Sequence, residues 1–227
     1  MILAFDTSTD WCSVALYDPA GGVRAEQTWV AHRAQTAQLL PTVDYLLGRV
    51  QATMDAVTGV AVALGPGSFT GLRVGLATAK GLAYARRLPI WGVPTPDILA
   101  YAHSAVTAAP VCAVVGAGRG RLAWALYRTQ SGRWERLTAY QNTTVADLCA
   151  QIEQPTLFVG ELDAAASTQI EATLGRNANL APAATSVRRA GFLAELAAGR
   201  AADGQSDNLA TLQAIYLQQP TTAKREA

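Results

Sequence analysis

With 227 residues, half of them hydrophobic and 15% charged, the chain has the material for a sizeable core and too little charge to be a disordered segment. A net charge of +1 leaves no electrostatic footprint for nucleic acid or an anionic membrane, and no uninterrupted apolar run is long enough to span a bilayer. The three cysteines, Cys12, Cys112 and Cys149, lack metal-ligand and redox spacing; with no leader pattern at the N-terminus, they point to a reducing, cytoplasmic setting.

Ile2 to Asp6 reads as a short apolar strand ending in the polar turn Asp6-Thr7-Ser8-Thr9-Asp10. Residues 12–17 and 23–30, joined through Asp18-Pro19-Ala20-Gly21-Gly22, complete a three-strand meander. Ala37, Leu40, Val43, Tyr45, Leu46, Leu47 and Val50 recur at helical spacing and predict a helix over 34–50, with Pro41 marking a kink or a late start. Val57, Val60, Val62 and Leu64 predict a buried strand that feeds a glycine loop and then a helix over 70–87. A strand over 89–93 and a helix over 96–106 close the first unit. From Ala109 the order repeats on a smaller scale: strands over 111–115, 122–128 and 134–140, a helix over 145–152, a strand over 156–159, and helices over 164–174 and 192–200. This is an α/β chain with two βββαβα-type subdomains, 1–108 and 109–206, the second smaller and less regular. Residues 207–220 are expected to form a C-terminal helix packing back on the first subdomain, and 221–227 a frayed tail.

Residues 64–83 concentrate five of the 19 glycines. Gly71, Gly75, Ala79 and Ala83 recur every four residues and so share one helix face; Ala77, Gly81 and Ala85 make a second row. A glycine inside a helix costs roughly 1 kcal/mol relative to alanine, a cost that calls for close approach of another backbone. That backbone belongs either to a partner helix or to the chain's own sheet. The loop before the helix also has two readings. Gly65, Gly67 and Ser68, with Asp6, Thr7 and Ser8 of the first turn, could meet phosphates. Yet Gly65-Pro66-Gly67-Ser68-Phe69-Thr70-Gly71 lacks the Gly-Lys-Ser/Thr ending of a Walker loop, and Pro66 removes a donor. Alternatively it is a turn with positive φ whose Ser68 or Thr70 caps the helix. Asp6 either holds a magnesium-bound water or ends its strand. Arg73 either meets a partner carboxylate or phosphate, or folds onto Asp6.

Three segments together carry a family resemblance: Leu3-Ala4-Phe5-Asp6-Thr7-Ser8-Thr9, His32-Arg33-Ala34-Gln35-Thr36-Ala37-Gln38-Leu39-Leu40-Pro41, and Gly65-Pro66-Gly67-Ser68-Phe69-Thr70-Gly71-Leu72-Arg73-Val74-Gly75. They resemble the TsaB (YeaZ) family, over about residues 1–100 and in a weaker Ala214-Ile215-Tyr216-Leu217 ending. The resemblance implies the actin-like ATPase fold, of ribonuclease H-like type. It implies a non-catalytic subunit for making threonylcarbamoyladenosine on tRNA, binding the catalytic paralogue TsaD, with the ATPase TsaE as third partner and tRNA met only within the complex. It implies no cofactor of the chain's own, ATP or ADP with magnesium entering only at the complex interface, and a homodimer when alone. Partner contact would fall on Gly71, Arg73, Val74, Gly75, Ala77, Thr78, Ala79, Gly81 and Leu82, with Gln38, Thr42 and Tyr45 of the preceding helix. Two places depart from the family: Gly116-Ala117-Gly118-Arg119-Gly120-Arg121 stands where the family has Asp-Ala-Arg-Arg, and Gln218 replaces an arginine.

The residues offer little to a stand-alone enzyme. His32 and His103, the only histidines, cannot form the His-x-x-x-His pair by which the TsaD paralogue holds its metal. No Gly-x-Ser-x-Gly elbow is present. The alternative of an ATPase or sugar-kinase-like member of the actin-like fold rests on the fold alone. The arginines from Arg119 to Arg136 are either solvated or contribute to tRNA contact inside a complex.

Overall fold

β1 (Ile2–Asp6) is buried along its whole length, as its apolar run requires, and forms the centre of a five-stranded sheet. The computed structural model describes residues 1–105, 107–118, 120–130 and 133–217. On one side of β1, β2 (Trp11–Asp18) and β3 (Gly22–Val30) pair antiparallel; on the other, β4 (Gly59–Ala63) and β5 (Ile90–Val93) run parallel, in the order β3-β2-β1-β4-β5. The parallel connections are α1 (Gln35–Arg49) and α2 (Phe69–Arg86), which lie on one face of the sheet. Leu39, Val43, Leu46 and Leu47 of α1 and Ala79 and Ala83 of α2 close over Leu3, Phe5, Val60 and Val62. Pro41 lies inside α1 on its exposed side and does not end it.

The second unit repeats the plan. β6 (Val111–Gly116), β7 (Arg121–Gln130) and β8 (Arg133–Arg136) form the meander, β9 (Gln141–Thr144) adds to β7, and β10 (Thr156–Gly160) and β11 (Ala178–Leu180) run parallel to β6. The order β8-β7-β6-β10-β11 matches that of the first sheet. α4 (Val145–Cys149) and α5 (Ala164–Leu174) cover one face. β9 and β11 are four and three residues of mixed polarity, too short for a period-2 signal, and sequence reading passes over both.

The remaining helices cross over. α3 (Thr95–Tyr101) follows the first sheet, yet Leu99 and Ala100 pack on Val111, Ala113, Ala123 and Val159 of the second. α6 (Ala190–Ala202) follows the second sheet, yet Ala190, Leu193, Ala194 and Ala197 pack on Ile2, Ala4, Ala15 and Ala61 of the first. Tyr101 and Phe192 meet edge to face between them, with centroids 6.3 Å apart. Cuts at residues 108 and 206 therefore divide the sheets but not their packing.

The expected C-terminal helix is not formed. Asp207 bridges antiparallel to Ile90, Asn208 Oδ1 accepts from the N–H groups of Ala210 and Thr211, and Ile215 N–H donates to Leu64 O at 2.7 Å. These local side-chain bonds and strand-end carbonyls compete with helical pairing and win. The segment still returns to the first unit: Leu209, Leu212 and Ile215 pack on its core, and Lys80 of α2 donates to the Leu212 carbonyl at 3.1 Å. Residues 218–220 and the tail 221–227 lie outside the described residues. Among the described residues no helix is long and apolar enough to cross a membrane.

Candidate functional site

The turn after β1 spends its polar groups inside the chain. Asp6 Oδ1 accepts from Ser8 N–H at 2.7 Å, and Oδ2 accepts from Arg188 Nε at 2.8 Å. Thr7 Oγ1 donates to Gly71 O at 2.7 Å, Ser8 Oγ bonds Thr95 Oγ1 at 2.8 Å, and Ser8 O accepts from Ser68 N–H at 2.5 Å. Ser68 Oγ caps α2 by accepting from Gly71 N–H at 3.3 Å, and Gly65 O accepts from Thr95 N–H. A Cβ built on Gly67, Gly71 or Gly75 would come under 3.0 Å from Ser8 O, Thr7 O and Thr7 Oγ1 respectively. The glycine loop and the first half of α2 thus lie directly on this turn. These residues hold one another as the turn reading requires, and each Asp6 carboxylate oxygen already accepts a hydrogen bond from within the chain.

Arg188 is what occupies Asp6, and it comes from the segment before α6. Its side chain is 2% exposed. Nη1 donates to Glu161 Oε1 at 2.6 Å and Nη2 to Thr9 Oγ1 at 2.5 Å, while Thr9 Oγ1 donates to Glu161 Oε1 at 2.6 Å. Burial alone would lower the Arg188 pKa; the Asp6 and Glu161 carboxylates outweigh it and hold the guanidinium above its ordinary range. A charge buried this deeply persists only when paired in this way. Arg73 does not reach Asp6: it is exposed, with its guanidinium 3.7 Å over the Phe69 ring. Phe69 in turn packs on Tyr216, centroids 5.3 Å apart, at the rim of a cleft of about 830 Å³ between the two units that Trp11 and Glu161 also line.

The same geometry separates the two small-residue rows of α2. Gly71, Gly75, Ala79 and Ala83 are buried against the turn and the first sheet. Gly71, Gly75 and Ala79 are therefore withdrawn from the expected partner contact: they are buried within the chain, with the Thr7 carbonyl against Gly71 and the Thr7 side chain against Gly75. Ala77, Gly81 and Ala85 are exposed together with Arg73, while Val74, Thr78 and Leu82 are half-buried. Across α1, Gln38 is half-buried and accepts from Trp29 Nε1 at 2.7 Å, Thr42 bonds back to Gln38 O, and Tyr45 is exposed. A Cβ on Gly81 or on Gly48 would meet nothing within 4 Å. Leu40 and Tyr45 of α1 and Tyr84 of α2 are 51%, 57% and 79% exposed.

His32 is exposed in a turn with positive φ, caps nothing, and lies before α1, whereas His103 is buried with Nε2 3.0 Å from Thr185 O. Among the described residues no three His, Cys, Asp or Glu side chains converge on a metal position. Cys12 is buried, and burial first, then Asp6, pushes its thiol up to about 12, far from a reactive thiolate. Of the arginines of the second unit, Arg121 bonds Asn142 at the start of β7, Arg136 lies over Tyr140 and near Asp97, and Arg119 lies outside the described residues.

Comparison with known proteins fits this arrangement. The family model described as "TsaD: tRNA N6-adenosine threonylcarbamoyltransferase" matches residues 12–221. The chain is 30% identical over 186 residues to the tRNA threonylcarbamoyladenosine biosynthesis protein TsaB of Bacillus subtilis, covering 81% of this chain and 80% of that one. The chain belongs to the TsaB (YeaZ) family. It is 38% identical over 135 residues to the TsaB of Escherichia coli, a match spanning 59% of this chain and 58% of that relative. The solved structure of YeaZ from Pseudomonas aeruginosa superposes with a TM-score of 0.76 at 26% identity, covering 95% of this chain and 99% of that one. The α/β actin-like, ribonuclease H-like fold expected from sequence is the fold observed.

Within this TsaB-family chain, sequence reading locates the turn, the loop and the two helices but misses the residues that tie them together. Arg188 and Glu161 lie in polar stretches with no periodic signal, 182 and 155 positions from Asp6. Gln35, whose side chain is buried and donates to Thr9 O at 3.3 Å, looks like any polar first-turn residue. Leu40 and Tyr84 stand in stretches that read as core-facing or neutral. The Gly116–Arg121 departure forms the β6–β7 connection, with positive φ at Gly118 and Gly120 and open space around both.

Proposed function

We propose that the chain serves tRNA threonylcarbamoyladenosine biosynthesis as a non-catalytic binding subunit that docks the TsaD paralogue on the outer face of α1 and α2, with TsaE joining the pair. The observation that carries this reading is the outward glycine pair. Gly81 and Gly48 each forfeit about 1 kcal/mol of helix stability relative to alanine, and nothing inside the chain makes use of the space they leave. Leu40, Tyr45 and Tyr84 of the same two helices are exposed, and exposed aromatic side chains suit a protein partner. In the absence of the paralogue the same face serves a homodimer.

The chain brings no catalytic group and no cofactor of its own to this role. Its Asp6 is closed by Arg188, which argues against the stand-alone ATPase reading. tRNA is met only in the assembled complex, the chain's own charge being near neutral. The three unpaired, buried cysteines suit a cytoplasmic setting. The test is co-purification with TsaD and TsaE followed by an in vitro assay for modified tRNA. The reading requires that modification depends on this chain and that the chain alone releases no phosphate from ATP with magnesium. Steady ATP turnover by the isolated chain would overturn it.

A further inference from the structure

Both docking helices begin on one four-residue turn, and a buried arginine grips two residues of that turn from its far side. α1 is tied to it through Gln35, whose side chain donates to Thr9 O at 3.3 Å. α2 is tied to it through Ser68 N–H to Ser8 O at 2.5 Å and Thr7 Oγ1 to Gly71 O at 2.7 Å, with no room for a Cβ at Gly71. On the opposite side Asp6 and Thr9 take two of the three hydrogen bonds of Arg188, and Glu161 of the second unit takes the third. We propose that Arg188 is a positioning residue for the docking face: by gripping Asp6 and Thr9 from the second unit, it fixes how the starts of α1 and α2 stand relative to each other. The inference rests on the docking reading above.

The geometry has little slack. Asp6 has both carboxylate oxygens engaged, one inside the turn and one with Arg188, so releasing Arg188 frees the residue that shapes the turn. Thr9 sits between Arg188, Glu161 and the Gln35 contact, so the same release loosens the first turn of α1. The planar fork of an arginine can hold three acceptors in one plane; a lysine holds them as a point charge without that orientation. The second unit thereby acts on a surface it does not touch, through the end of β1. This ion cluster is one of the contacts that join the two units.

The test compares the full chain with the triple variant Asp6→Asn, Glu161→Gln, Arg188→Met, which removes the charges together and leaves none buried alone, and with Arg188→Lys. Two readouts are taken: calorimetric titration of the TsaD paralogue, and amide hydrogen exchange of the free chain over residues 35–39 and 68–75. Expected in the triple variant are one cooperative unfolding transition, a larger rise in exchange over the wild-type chain in those two segments than in β6 and β10, and at least tenfold weaker partner binding. Arg188→Lys should fall between the two, and it carries the test if the triple variant does not fold. Wild-type affinity with unchanged local exchange in the variant overturns the positioning role and leaves the docking reading standing. No affinity in the wild-type chain overturns the docking reading, and the exchange pattern then decides whether Arg188 orders the helix starts.

Discussion

α2 carries two rows of small residues at the same four-residue step, and they have opposite meanings. Gly71 and Gly75 are small because Thr7 of the same chain lies against them. Gly81, one turn and a half further on and rotated outward, is small with nothing against it. The first row is a requirement of folding; the second is left free for the docking role proposed above. A glycine at helical spacing therefore does not say by itself what lies against it; the tertiary placement of the helix does.

The comparison can be broken at four points. The largest effect should come from Gly71→Ala. The new methyl would come under 3.0 Å from the Thr7 carbonyl, which is backbone and cannot swing away, so denaturant unfolding should show a loss of about 3 kcal/mol or more. Second, Gly81→Leu should weaken TsaD binding about a hundredfold in a titration while leaving the unfolding midpoint nearly where it was. Third, Gly81→Ala and Gly48→Ala should each raise stability by about 0.5–1 kcal/mol, since both positions are helical with open space around them. The sign reversal between Gly71→Ala and Gly81→Ala is the sharpest form of the contrast.

The smallest effect is a pH dependence away from both rows. Burial would raise the Asp207 pKa, but Arg200 and the Gly92 N–H more than offset it, so the folded pKa lies below the ordinary carboxylate value. The stability it adds is present above the unfolded value of about 4 and is lost as pH falls through the folded value. Asp207→Asn should therefore cost under about 1 kcal/mol at neutral pH, the pair being partly exposed, and nothing in strong acid. A thermal-melt series over pH checks it; both rows of α2 should respond no differently in the variant.

The strands at the centre of each sheet were legible because they are continuous apolar runs, Ile2–Phe5 and Val111–Val115 among them. α2 was legible from its glycine spacing, and residue type narrowed its cap to Ser68 or Thr70, of which Ser68 is the one formed. The inward or outward sense of its rows was not, because both share one period and differ only in rotation about the helix axis. The crossing of α3 and α6 was not, because an alanine-rich apolar face fits either sheet. Arg188 was out of reach for a different reason. A lone buried arginine in Ser186-Val187-Arg188-Arg189 carries no local signature, and its partners lie across the whole fold. The C-terminal helix failed because an apolar spacing at Leu209, Leu212 and Ile215 serves equally well for a segment laid along strand ends.

The central claim is that the outward face of α1 and α2 is where the chain does its work. Calorimetric titration of the TsaD paralogue with the wild-type chain and with Gly81→Leu, at matched unfolding midpoints, measures it most directly. The account predicts binding by the wild-type chain and about a hundredfold loss in the variant. Equal affinity for both would contradict it.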